Sequence, residues 1–161
     1  MLKFTEMPYA RPDMEAAKTL TAELTARLRE APDYAAAKAV FLEYQEEQKH
    51  IFTHCTLAEI RNSIDTRDEF YDAEVKFYSR ELPKSRYLAK EWTDALLQSP
   101  FRARLEEKYG NVPLLNAEIS NRTFKPELVE DLQRESALVN QYTKLIASAQ
   151  INFEGEVRNL A

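Results

Sequence analysis

Glycine scarcity restricts the fold of this chain more than any other feature, because the 161-residue sequence contains only two glycines. Phosphate-binding loops and chains of tight hairpins need glycine, since it adopts positive φ without steric cost. A P-loop protein, a Rossmann fold and an all-β barrel are therefore nearly excluded. Apolar residues recur instead at spacings of three and four, which is the pattern of amphipathic α-helices.

Composition excludes several kinds of partner. The sequence holds 22 Lys and Arg against 27 Asp and Glu, a formal net charge of −5. An acidic chain without a basic run predicts no nucleic-acid partner and no membrane partner, and no apolar stretch approaches the roughly 20 residues of a membrane helix. The single cysteine, Cys55, allows neither an internal disulfide nor a cysteine zinc cluster. With no signal-peptide pattern at the N-terminus, we expect a cytoplasmic protein.

The helical periodicity predicts an all-α fold, a multi-helix antiparallel bundle with long helices and a short C-terminal β-hairpin. Three local signals are expected to set helix boundaries. Thr66 and Glu69 have the spacing of a capping box, and Ser99, followed by proline, has the features of an N-cap. Gly110 is expected to end a short helix in the left-handed conformation. Pro83 is expected to kink or break the third helix.

The apolar stripes of the helices are interpreted as core packing. The last helix carries such a stripe: Leu128, Leu132, Glu135, Val139, Tyr142, Ile146 and Ala149. Two adjacent aromatic pairs, Phe70–Tyr71 and Phe77–Tyr78, give the third helix a wide apolar face, and packing against the core is again the favoured interpretation. The hairpin at 151–158 has very short arms and is marginal by itself, so helices or sheet partners elsewhere must cover it.

One helix face offers a candidate metal site. Glu47, His50 and His54 lie at positions i, i+3 and i+7, so they project from one side of the second helix. The general-base glutamate of a His-Glu-x-x-His motif would fall at position 51, which is Ile51, and the chain has no second Glu-x-x-His. Ordinary packing or hydrogen bonding of these histidines is the favoured interpretation. Cys55 lies on an apolar stripe and is expected to be inert.

Several blocks resemble the start of bacterial oligoendopeptidase F, a zinc metallopeptidase of the thimet oligopeptidase-like superfamily. The most informative is Ile60-Arg-Asn-Ser-Ile-Asp-Thr-Arg-Asp-Glu-Phe-Tyr71. Met7-Pro-Tyr-Ala-Arg-Pro-Asp13 resembles the family's opening, and Leu97-Gln-Ser-Pro-Phe-Arg-Ala-Arg-Leu-Glu106 its "ESPFR" segment. Segments 129–135 and 142–149 resemble its late N-terminal helices, and Phe153-Glu-Gly155 the following turn. The resemblance covers essentially the whole chain but about the first quarter to third of the family's usual length.

This resemblance implies a cytoplasmic, largely helical enzyme that cleaves short peptides in a deep channel. It implies zinc held by a helical His-Glu-x-x-His and a further glutamate, with N-terminal helices walling the channel. The motif is absent from this chain, so no catalytic, cofactor-binding or metal-binding residue is carried over. Zinc belongs to the full-length enzyme, and we expect this chain to be inactive by itself.

The expected organisation is a helical N-terminal lobe over 1–150, followed over 151–161 by the start of a β-hairpin that leads to an absent catalytic domain. The chain would be a truncated piece or the small half of a split enzyme, with the missing catalytic lobe as its partner and short peptides as substrates of the whole. Two alternatives stay open. One is a stand-alone helical interaction protein, and the other is a metal-binding helical bundle that uses Glu47, His50 and His54.

Overall fold

The computed structural model of the protein describes residues 6–158, in which six α-helices are followed by a β-hairpin. The helices are α1 (Met14–Arg29), α2 (Tyr34–Ile64), α3 (Glu69–Gln98), α4 (Arg102–Tyr109), α5 (Val112–Thr123) and α6 (Val129–Ser148). A 3₁₀ turn over Pro126–Leu128 leads into α6, and the strands are β1 (Ile151–Phe153) and β2 (Glu156–Arg158). The predicted all-α bundle with its hairpin is confirmed. Residues 159–161 of the predicted hairpin segment lie outside the described residues.

An aspartate side chain caps the N-terminus of each of the first three helices. Asp13 accepts hydrogen bonds from two backbone N–H groups in the first turn of α1, and Asp33 accepts one from the first turn of α2. At the start of α3, Asp68 accepts from two backbone N–H groups at 2.9 and 3.2 Å. The capping box predicted at Thr66 and Glu69 is therefore wrong, because a nearer aspartate already satisfies the free amides of the first turn.

The boundaries of α4 agree in part with prediction. Gly110 ends α4, as predicted, but its φ of 83° and ψ of 162° differ from the left-handed helical conformation that was expected. This extended backbone with positive φ is one that glycine adopts without steric cost. The helix begins at Arg102, with Phe101 in the N-cap position. The Ser99 hydroxyl accepts from the backbone N–H of Phe101 at 3.2 Å, which is the bond expected of an N-cap serine. The predicted contact is therefore present, although it caps the turn that leads into α4 rather than the first residue of the helix.

The first three helices form an antiparallel bundle. Met14, at the start of α1, shares a buried cluster with Ile51 of α2, whereas Leu28, near the end of α1, shares another with Ala37 at the start of α2. These pairings run α1 and α2 in opposite directions. The rings of Tyr44 and the α3 tryptophan stack with centroids 4.0 Å apart and an interplanar angle of 11°, which joins α2 to the late part of α3.

Helix α3 continues unbroken through Pro83, so the predicted break does not occur. Proline has no backbone N–H, and the carbonyl group of Ser79 therefore loses its usual helical donor. At the residue after Ser79, the Gln133 side chain of α6 donates through Nε2 to the carbonyl oxygen of Arg80 at 2.7 Å. This contact attaches α6 to α3 beside the proline, but it does not replace the donor that the Ser79 carbonyl group loses.

Buried side chains fall into separate clusters rather than one continuous core. The large cluster consists of Leu24, Leu28, Ala37, Val40, Phe41, Tyr44, Trp92, Ala95, Leu96, Leu105 and Leu114. The small cluster consists of Met14, Ala17 and Ile51. A further group surrounds Cys55, Ala58 and Tyr78. Between the large and small clusters, the interface of α1, α2 and α3 is incompletely filled.

Candidate functional site

The outer face of α6 carries apolar side chains that the described chain leaves uncovered. Leu138, Val139, Tyr142 and Leu145 are each between 54% and 69% exposed, and we call these four side chains the α6 outer face. No residue of α6, which is described throughout, is buried. An amphipathic helix normally turns its apolar stripe towards a core. This face is therefore a candidate interaction surface.

The side of α6 that contacts α3 is polar instead. The groove between the two helices is lined from α6 by Gln133, Ala137, Asn140, Gln141 and Lys144. Lys144 forms an ion pair with Asp72 of α3, and Gln133 makes the hydrogen bond to the Arg80 carbonyl oxygen. Burial opposes ionisation of Asp72, but hydrogen bonds from Lys144 and Lys76 outweigh it and lower the Asp72 pKa. Polar contacts thus attach α6 to the bundle and turn its apolar stripe outward.

The β-hairpin that follows α6 also exposes apolar side chains. Its strands pair antiparallel, with Ile151 opposite Arg158 and Phe153 opposite Glu156. All the side chains of both strands are exposed, including the apolar Ile151, Phe153 and Val157. A two-stranded hairpin is marginally stable in water without further packing. Its apolar side chains therefore call for a partner surface that residues 6–158 do not supply.

The prediction that the stripe of α6 packs into the core is wrong for this chain. Val139 and Tyr142 are exposed, while Leu132, Ile146 and Ala149 are only half-buried. The periodicity did identify a helix with a continuous apolar face. Periodicity specifies that a face must be covered, but it does not specify which surface covers it.

The aromatic pairs of α3 mostly face the protein's own interior, which is the favoured interpretation of the sequence. Tyr78 is buried, and Tyr71 and Phe77 are half-buried. Phe70 is the one member of the two pairs that is exposed, and its ring packs edge-on against Tyr9 at 5.9 Å between centroids. Among these four aromatics, Phe70 alone is available to a partner.

A buried carboxylate fastens the N-terminal segment to α3. The Glu74 side chain is buried, and the Arg11 guanidinium donates to both of its oxygens, at 2.9 Å through Nε. The Tyr9 hydroxyl donates to Glu74 Oε2 at 2.5 Å. The hydrogen bonds from Arg11 lower the pKa of Glu74, although burial opposes the shift. Burial, followed by the bond to Glu74, raises the pKa of Tyr9. The Glu74 carboxylate therefore stays ionised at neutral pH, and it is not suited to proton transfer.

A second buried carboxylate on α3 is also fully ionised at neutral pH. Glu81 accepts hydrogen bonds from Arg80 Nε at 2.9 Å and from Lys84 Nζ at 3.0 Å, and Lys18 Nζ lies 3.5 Å away. Burial opposes its ionisation, but these hydrogen bonds and the charges of Lys84 and Lys18 outweigh burial and lower the Glu81 pKa to about 2. A general acid or base needs a pKa nearer to the working pH, so Glu81 has a structural role.

The predicted candidate metal site does not assemble. The rings of His50 and His54 lie 4.7 Å apart, but His54 Nδ1 accepts a hydrogen bond from the backbone N–H of Ala10 at 3.3 Å. Burial and the charge of His50 lower the pKa of His54. Over residues 6–158, no three His, Cys, Asp or Glu side chains come together so that they could hold a metal ion. The metal-binding alternative with Glu47, His50 and His54 is therefore not favoured.

Cys55 is a poor nucleophile in this environment. Its side chain is buried, and Sγ donates to a carboxylate oxygen of Glu59 at 3.6 Å. Burial, together with the negative charge of Glu59, raises the pKa of the Cys55 thiol to about 12. The thiolate is the reactive form of cysteine. Cys55 is therefore protonated at neutral pH and contributes to packing.

None of the helices within residues 6–158 combines the length and apolar composition that a bilayer crossing requires.

The sequence model of the family described as "Peptidase M3 N-terminal domain" matches residues 4–124. No curated protein matches the sequence significantly.

Solved structures of peptidases resemble the chain over nearly its whole length. PZ peptidase A, solved with an inhibitor, is 37% identical over 98% of this chain, with a TM-score of 0.91. An oligoendopeptidase F structure is 39% identical over 99% of this chain, with a TM-score of 0.92. A Bacillus anthracis strain Ames protein assigned to oligoendopeptidase F is 34% identical over 99%, with a TM-score of 0.92. The present chain spans only 28%, 28% and 29% of those three chains, respectively.

Proposed function

Since the chain belongs to the peptidase M3 N-terminal domain family, we propose that it forms the N-terminal lobe of a zinc metallopeptidase that hydrolyses short peptides. The observation that carries this proposal is the α6 outer face, together with the exposed apolar side chains of the hairpin. Leu138, Tyr142 and Leu145 line none of the grooves between α6 and the bundle, whereas Val139 lies at the edge of one. In the proposal, this surface packs against a catalytic lobe, and the bundle walls one side of a peptide channel in a cytoplasmic enzyme.

The proposal divides the chemistry between two parts of the enzyme. The 161 residues contain no His-Glu-x-x-His, so the zinc ligands and the general base are carried by chain outside them. Bound there, zinc would polarise the scissile carbonyl group of a peptide. The residues of this chain position and enclose the substrate without taking part in proton transfer, in agreement with the fixed charges of Glu74 and Glu81.

Complementation tests the proposal. The 161-residue chain is mixed with a fragment of the Bacillus anthracis relative that carries His-Glu-x-x-His but lacks the portion matched by this chain. We expect neither fragment alone to cleave a quenched fluorogenic short peptide, and the zinc-loaded mixture to cleave it. A mixture that stays inactive although both fragments are folded and associated would contradict the proposal, and so would cleavage by the 161-residue chain alone.

The stand-alone interaction protein makes a different prediction for the same exposed face. It requires a stable oligomer of the isolated chain, or a complex with an unrelated protein, without any peptidase fragment. Sedimentation of the isolated chain distinguishes the two. A monomer that sediments as a complex only after the catalytic fragment is added supports the lobe.

A further inference from the structure

A cavity of about 210 Å³ lies between α1, α2 and α3, at the interruption between the large and small clusters. Its apolar wall includes Met14 and Ile51 of the small cluster and Leu82, Leu88 and Ala89 of α3. This cavity is partly open to solvent, so that a small molecule could enter it from its exposed side. A cavity of about 150 Å³ is enough to bind benzene when its lining is apolar. This one is large enough for a six-membered ring with a short tail.

Polar side chains also line this cavity. Gln48 lies between Tyr44 and Ile51 on the apolar stripe of α2, where a packed helix pair would place an apolar side chain. Lys18 of α1 and Ser85 of α3 line the cavity with it. The lining therefore combines apolar and polar side chains.

Two hydroxyl groups that line the cavity lack partners. Thr21 and Tyr44 are 7% and 8% exposed, and neither hydroxyl forms a hydrogen bond with another residue of the described chain. Burial without such a bond raises the pKa of Tyr44 to about 12. A hydroxyl group both donates and accepts. Neither oxygen is sealed from solvent, since among residues 6–158 only Asn62 Oδ1 is a buried side-chain atom without a partner. The two hydroxyl groups therefore face the open space of the cavity, where a bound molecule could replace water.

An uncompensated positive charge completes the lining. Lys18 is paired with Glu15 at 2.6 Å and lies 3.5 Å from Glu81, so its charge is balanced. Arg86 also lines the cavity, is exposed, and forms no ion pair with any residue between 6 and 158. A guanidinium group binds carboxylates well, because its fork of donors matches their two oxygens.

We propose that this cavity binds a small monocarboxylate with a compact apolar body. The apolar body lies among Met14, Ile51 and Leu82, and the carboxylate pairs with Arg86 at the exposed side. The hydroxyl groups of Thr21 and Tyr44 supply the remaining polar contacts. The site is separate from the α6 outer face, and it stands whether or not the chain forms part of a peptidase.

Binding of 3-phenylpropionate to the 161-residue chain tests the site, with 3-phenylpropan-1-ol as the uncharged probe of the same shape. We expect the carboxylate to bind about tenfold more tightly than the alcohol in isothermal titration calorimetry. Backbone amide NMR shifts should map to the turns that hold Thr21, Tyr44 and Arg86. Arg86→Gln should abolish the preference for the carboxylate, whereas the control Arg67→Gln, at a remote exposed arginine, should keep it.

A second variant tests the cavity itself. Ala89→Leu adds bulk to the wall and should weaken both probes at least tenfold, provided that circular dichroism shows an unchanged helical spectrum. If Ala89→Leu unfolds the chain, the comparison of Arg86→Gln with Arg67→Gln still decides whether the cavity binds the carboxylate. The proposal is overturned if neither probe binds, if both bind equally, if Arg86→Gln retains the preference, or if the NMR shifts map elsewhere.

Discussion

Two buried glutamates, each held by cationic side chains, are the most distinctive charged residues of this chain. Glu74 and Glu81 lie on the buried side of α3, and each is held by cationic side chains. Sequence analysis missed the Glu74 cluster because 63 residues separate Glu74 from Arg11. A signal was present, since Glu74 lies one helical turn before Tyr78 on an otherwise apolar face. A carboxylate at such a position requires a cationic partner, but the sequence does not specify which one.

The low pKa of Glu81 predicts a pH-dependent contribution to stability. Its folded pKa of about 2 lies below the ordinary value of 4.5, so its stabilisation is present above pH 4.5 and is lost as the pH falls towards 2. We expect Glu81→Gln to lower the free energy of unfolding at pH 7 by about 2 kcal/mol, and this deficit to shrink as the pH falls. Urea denaturation between pH 7 and pH 2 measures it. The exposed control Glu46→Gln should stay within about 0.5 kcal/mol at every pH, and a deficit for Glu81→Gln that is constant with pH would contradict the assignment.

At the scale of elements, the attachment of α6 to α3 depends on few polar contacts. Gln133 satisfies the Arg80 carbonyl group beside the interior proline. We expect Gln133→Ala to cost about 1 kcal/mol and to speed hydrogen–deuterium exchange across α6 more than across α1 or α2. Gln141→Ala, on the same helix and without such a bond, serves as the matched control and should leave exchange unchanged. Equal effects of the two substitutions would show that the Gln133 contact does not hold α6.

The positions of the helices and the hairpin could be predicted from this sequence better than the contacts that surround them. The spacing of apolar residues and the punctuation by proline and glycine predicted the helices and the hairpin, because these signals are local. The capping prediction failed because two capping groups lie close together, and Asp68 caps α3 in place of Thr66. Pro83 was predicted to kink or break α3, and the break does not occur. Whether a helix continues through a proline depends on tertiary packing, which a local pattern does not specify. The outward orientation of α6 likewise depends on which surface covers it, and no local pattern contains that information.

Substitutions in the buried core of the bundle and on the α6 outer face should have different effects on the stability of the isolated chain. Leu24 is fully buried in the large cluster, and Leu24→Ala should cost about 2–5 kcal/mol in the free energy of unfolding. Tyr142 and Leu145 of the α6 outer face contact solvent, so the double variant Tyr142→Ser and Leu145→Ser should change the stability of the isolated chain by no more than about 1 kcal/mol.

In a complex with the catalytic fragment, the side chains of Tyr142 and Leu145 would be covered. The double variant should therefore weaken association at least tenfold and reduce recovered peptidase activity in parallel. Sedimentation and peptide cleavage measure the two effects. Wild-type association by the double variant would show that the lobes meet through another surface, whereas a large loss of stability in the isolated chain would show that α6 packs on this chain's own bundle.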